Sequence, residues 1–216
     1  MNTPLRLYLV FAVLMLWLTP TLCGADVNAD LQDAVRAGNI AAVEQALRSG
    51  ADPNYIPEKG FAPMLAAIMF NKPSYLALLL RYGGDPHLSP DDTPLIYMAI
   101  VSNRLESVEL LLDAGVPTNQ RMFDSQFTPL SLASARARSP ALVRLVLERG
   151  ADPNERPERG HLPLYAAALN KSCNEPCIKL LLEYGANPDG HIAAGPTRFR
   201  DWVLNRKLVN ILELLE

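Results

Sequence analysis

Chemistry has few places to reside in this chain. Its three histidines, His87, His161 and His191, sit among Gly, Pro, Asp and Asn, the composition of turns, where a histidine is ordinarily a solvated polar residue. No two of them have metal-ligand spacing, no serine or cysteine lies in a nucleophile motif, and no glycine-rich loop is built to cradle phosphate. Carboxylates do pair, as Asp91 with Asp92 and Glu155 with Glu158, but acidic loop residues are commonplace on solvated surfaces. The sequence therefore points away from an enzyme: no catalytic residue, no metal site and no cofactor are expected.

The remaining reactive pair is Cys173 and Cys177, whose fate depends on compartment. Residues 1–25 open with the positive charge of Arg6, continue through an unbroken apolar run at residues 7–18, and end on Cys23-Gly24-Ala25, which is the anatomy of a cleaved signal peptide. That run is too short to cross a bilayer as a helix, which takes about 20 residues. The mature chain, residues 26–216, is thus expected to lack a transmembrane span and to be exported to the periplasm. A lipid anchor on Cys23 is the alternative, although Leu22 stands where lipoprotein signals resemble one another in carrying a small residue.

Cleavage would remove Cys23 and leave Cys173 and Cys177 as the only thiols. Four-residue spacing brings two side chains together on a helix or across a short loop, and an oxidising compartment lets them bridge. A structural disulfide is the preferred reading, with a redox pair or half of a metal site as the alternatives. Without Arg6 the mature chain has 19 basic against 23 acidic side chains. With no basic run and no interleaving of aromatic and basic residues, it carries no electrostatic footprint for nucleic acid.

What positions these residues is a repeat. Gly50-Ala51-Asp52-Pro53-Asn54 returns as Gly83-Gly84-Asp85-Pro86-His87, Gly115-Val116-Pro117-Thr118-Asn119, Gly150-Ala151-Asp152-Pro153-Asn154 and Gly185-Ala186-Asn187-Pro188-Asp189, at steps of 33, 32, 35 and 35 residues. Each copy follows a leucine-dense run, so its glycine falls where a helix must end and a left-handed residue is wanted. A second mark follows each turn, as Ala62-Pro63-Met64, Thr93-Pro94-Leu95, Thr128-Pro129-Leu130 and Leu162-Pro163-Leu164, with proline opening the next helix. The 18 prolines exceed the usual share of about 5%, and the repeat absorbs the excess: Pro73, Pro140 and Pro176 fall where second helices begin, and Pro196 marks a last first helix.

The order Thr-Pro-Leu, alanine-rich helix, Val-x-x-Leu-Leu helix, Gly-Ala-Asp-Pro-Asn resembles the ankyrin repeat, most clearly at Thr93-Pro94-Leu95, residues 108–112 and the two Gly-Ala-Asp-Pro-Asn copies. The resemblance implies an all-α solenoid of about five to six helix-turn-helix repeats, at residues 30–54, 55–87, 88–119, 120–154, 155–189 and 190–216, the first and last acting as caps. Two departures stand out. The family histidine after Thr-Pro-Leu is Leu65, Ile96, Ser131 and Tyr165 here, so its side-chain hydrogen bonds are expected to be absent. The glycine between paired helices survives as Gly38, with Asn71 and Asn103 as the next-best left-handed residues elsewhere.

The resemblance also implies where a partner binds: the loop tips, and the outward side of each first helix, which together line a concave groove. Carried onto this sequence, the tips are Glu58, Lys59, Phe61, Asp92, Asp124, Ser125, Phe127, Glu158, Arg159 and His161. The helix positions are Met69, Phe70, Ile100, Val101, Ala135, Arg136, Leu169 and Asn170. Large apolar groups at such positions form an exposed patch rimmed by charge, which marks a protein contact site. The alternative is that they pack inward, since a shift of one helical position turns Met69 or Ile100 into the core. The expected function is a non-catalytic periplasmic protein-binding module. It could be an immunity protein that neutralises a toxin or effector, a protective or chaperone-like partner of a periplasmic enzyme, or an envelope scaffold.

Overall fold

The glycine turn sets the architecture. In the computed structural model, which describes residues 26–124, 126–192 and 196–216, Gly150 and Gly185 take φ of 88° and 86° directly after their helices. In each case the next amide reaches back, Ala151 to the carbonyl of Val146 at 3.3 Å and Ala186 to that of Leu181 at 2.9 Å. This is the left-handed closure in which glycine escapes the Cβ penalty and orphaned helix carbonyls find donors. The readings made for residues 1–25, including Cys23, for Ser125 and for residues 193–195 lie outside the described residues.

Twelve α-helices occupy the described residues, in pairs. One compact unit, ending at Asp52, holds α1 (Val27–Ala37) and α2 (Ile40–Arg48). Its α1 is capped by the Asp26 side chain and closed by left-handed Gly38, and its core is Leu31, Ala34, Val35, Val43, Ala46 and Leu47. Ile40, the first residue of α2, is 45% exposed.

The second unit, residues 53–216, pairs α3 (Pro63–Met69) with α4 (Pro73–Arg81), α5 (Leu95–Val101) with α6 (Leu105–Asp113), and α7 (Pro129–Arg136) with α8 (Pro140–Glu148). It continues with α9 (Pro163–Leu169) and α10 (Asn174–Glu183), then α11 (Phe199–Asn205) and α12 (Val209–Leu212). First helices α3, α5, α7 and α9 pack in sequence, as do second helices α4, α6, α8 and α10. Alanine-rich first helices and leucine-rich second helices therefore bury one continuous core. Asn71 and Asn103 turn between paired helices with φ of 53° and 54°, as expected of glycine substitutes, and Lys207 does the same at 54° before α12.

At two of the turns the motif also fastens one repeat to the next. Asn54 accepts from the amide of Asp85 at 2.6 Å and donates to the carbonyl of Gly83 at 3.1 Å; Asn154 does the same to Asn187 and Gly185, at 2.7 and 2.9 Å. At these two turns asparagine thus joins positions 29–33 residues apart, its amide oxygen accepting and its amide nitrogen donating.

Three expectations change. Ser131 supplies hydrogen bonds where the family histidine is missing: its hydroxyl accepts from the Thr128 amide at 2.9 Å, and Thr128 Oγ1 accepts in return from the Ser131 amide at 3.3 Å. Pro176 is the third residue of α10 rather than its first, still within the first turn, where no intrahelical donor is lost. The closing helix α12 spans only Val209–Leu212 of the cap expected at residues 190–216.

Candidate functional site

Of the apolar positions expected on the groove, the structure removes one. Ile100 is fully buried, because the inward stripe of α5 is Leu95, Ile96, Ala99 and Ile100, one turn apart on a single face. Met69 and Val101 are half-buried, the former's carbonyl accepting from Arg104 at 3.1 Å. Phe61 and Phe70 are exposed at 47% and 48%, and the tip residues Glu58, Lys59 and Asp92 are exposed as well.

Asn170 also leaves the groove. It follows the last residue of α9 in an extended conformation (ψ 108°), so its side chain swings off the helix and is buried. Its amide nitrogen donates to the carbonyls of Ser134 and Ala137, at 3.0 and 2.9 Å, and its oxygen accepts from the Ser172 amide at 2.9 Å.

Phe127, Arg159, His161 and Leu169 are brought together. They line a cleft of about 210 Å³ with Gln126, Ser131, Ala135, Gly160 and Ala166, between the fourth and fifth repeats. Leu169 is 49% exposed beside small Ala135 and Ala166, so an apolar floor opens to solvent. His161 packs edge-on against Tyr165, centroids 4.8 Å apart, and Tyr165 packs likewise on Trp202. This aromatic row fixes one wall of the cleft. Gly160 fixes the other, because a Cβ there would collide with the Gln126 carbonyl oxygen. Sequence reasoning missed Gly160, although Gly60 holds the same place ahead of Pro63 and could have flagged it.

Charge around the cleft is sorted. Arg121 lies 3.9 Å from Glu155 and 3.6 Å from Glu158, drawing both carboxylates of the fifth tip to its own side. Burial pushes the Glu155 carboxyl above its usual range, with Arg121 opposing and Asp152 adding to the rise. A raised folded-state value means that stability from this group is present at acid pH and lost as pH rises through that value. Glu155→Gln is therefore expected to be at least as stable as the parent at pH 7, with its advantage gone below about pH 4. Thermal midpoints at the two pH values check this.

Cys173 and Cys177 are bridged and buried. Of the two settings that the four-residue spacing allowed, the helix is the one found: Cys173 is the N-cap of α10 and Cys177 lies inside that helix, so the bridge ties the helix start to its own cap. Reduction should cost about 1–2 kcal/mol, below the ~3 kcal/mol of a fifteen-residue loop, because so short a loop is nearly closed already. Unfolding with and without reductant reads this directly. Among the described residues there is no grouping of His, Cys, Asp and Glu able to hold a metal, and no helix long and apolar enough to cross a membrane.

Comparison with known proteins decides the family. A model of ankyrin repeats in three copies matches residues 31–122, and a single ankyrin-repeat model matches residues 125–157 and 159–190. This chain belongs to the ankyrin-repeat family. The ankyrin solenoid read from the sequence is thereby the fold, and protein–protein interaction is the work such modules do. Similar proteins include a putative ankyrin repeat protein of fowlpox virus (strain NVSL), 38% identical over 93 residues, covering 41% of this chain and 15% of that protein. Mitochondrial disaggregase of Bos taurus is 32% identical over 95 residues, 44% of this chain and 14% of the relative. Cyclin-dependent kinase 4 inhibitor B of Bos taurus is 35% identical over 72 residues, 33% of this chain and 54% of the relative. The ankyrin region thus spans a small to moderate part of each of these relatives.

Proposed function

We propose that this ankyrin-repeat chain is an exported, non-catalytic binding protein that docks a protein partner on the cleft between its fourth and fifth repeats and acts by covering part of that partner. The observation that carries the reading is the convergence of Phe127, Arg159, His161 and Leu169 on one open, apolar-floored cleft with a braced wall. An apolar group left half in water on such a floor gains burial when a partner seats on it.

Export is supported by the Cys173–Cys177 bridge, since disulfides persist in oxidising compartments, together with the signal-like residues 1–25. Neutralising a toxin or effector is the role we place first, with protection of a periplasmic enzyme second. A similar protein whose name records kinase inhibition supports occlusion as a mode of action for this kind of repeat. The test is co-expression with the product of the neighbouring gene, directed to the periplasm. Protection by the parent and its loss on Phe127→Ala with Leu169→Ala are expected; equal protection by a folded double variant would place the interface elsewhere.

A further inference from the structure

Resting on that docking site, we propose the chemistry of what it receives: an acidic protein segment that seats one aromatic or large aliphatic side chain on Phe127 and Leu169 and sets a flanking carboxylate against Arg159. The volume of about 210 Å³ is that of a recess for one side chain rather than a trough for a helix. Its floor, formed by Phe127, Ala135, Ala166 and Leu169, offers a bound group apolar contact.

Charge selects the neighbours of that group. Arg159 and His161 line the recess, and Arg136, exposed, directly follows the lining residue Ala135. Glu155 and Glu158 are turned to Arg121, and Asp124, the carboxylate of the fourth tip, pairs with neither arginine. Among the described residues no carboxylate lies within ion-pair distance of Arg136 or Arg159, although acidic side chains outnumber basic ones in the chain as a whole. A guanidinium on the wall of an apolar recess matches a carboxylate beside an apolar side chain, and Arg holds carboxylates in a two-pronged geometry that Lys does not. A nucleic acid fits less well, because the cations form no track along the fold and the net charge is −3.

The experiment uses three probes on the isotope-labelled protein: the peptide acetyl-Glu-Phe-Glu-amide, its counterpart acetyl-Lys-Phe-Lys-amide, and a short oligothymidylate. Amide shifts are followed by NMR at low and high salt. The acidic peptide should shift Gln126, Phe127, Gly160, His161 and Leu169, bind at least about tenfold more tightly than the basic one, and weaken with salt. Arg159→Glu, at an exposed position whose substitution should leave the fold unchanged by circular dichroism, should lower the acidic peptide's affinity by about tenfold and narrow the gap between the two peptides. Cleft shifts of equal size from both peptides would overturn the charge assignment while leaving the docking reading standing. No cleft shifts from either peptide would overturn both. Preference for the oligothymidylate, or unchanged affinity in the charge-reversed variant, would also overturn the proposal.

Discussion

Ile100→Ala should lower the free energy of unfolding by about 2–5 kcal/mol, the range for removing a fully buried aliphatic side chain from a packed core. Ile100 has no exposed surface and lies a turn beyond Ile96 on the inward face of α5, between α3 and α7. Phe70→Ala, at a position where the ring is 48% exposed, should stay close to the parent by comparison. The pair separates core from groove in one denaturation experiment. Equal and small effects at both would show that Ile100 faces outward, as the family resemblance had placed it.

Asn170→Ala is expected to cost about 2–4 kcal/mol, although only one small polar side chain is shortened. Its amide satisfies the carbonyls of Ser134 and Ala137, two fully buried residues of the preceding repeat, at 3.0 and 2.9 Å. Both acceptors would then be left without that donor in a dry interface, and a buried unsatisfied group costs about 1–3 kcal/mol. Asn170→Asp should be worse, since a carboxylate offers no donor and would bring charge against two carbonyl oxygens. Denaturant midpoints give the stability change. Faster hydrogen exchange confined to α7 and α9 would locate it at this inter-repeat contact, whereas a loss below 0.5 kcal/mol would mean another donor replaces the amide.

The elements that a single residue decides were legible in the sequence. Gly150 and Gly185 end helices because a left-handed φ is a local demand, and Asn71 and Asn103 meet the same demand between helices. Proline at the start of α3, α7 and α9 is local in the same way. Which of two adjacent helix positions faces the groove is decided by the neighbouring repeat. Ile100 and Asn170 were therefore misplaced, one by the packing of α5 and the other because α9 ends at Leu169. The hydrogen bonds of Asn54 and Asn154 span 29–33 residues and were hidden for the same reason. Of the groove residues, those from the fourth and fifth repeats converge, since a cleft needs the Gly160 approach to the Gln126 carbonyl, a contact between separate loops.

The central claim is that Phe127 and Leu169 form the floor on which a protein partner seats. Its most direct test is the affinity of the identified partner for the parent and for the Phe127→Ala, Leu169→Ala double variant, measured by calorimetry beside a thermal melt of each. A loss of at least about 2 kcal/mol, roughly thirtyfold, is expected with the fold retained. Undiminished affinity in a folded double variant would contradict it.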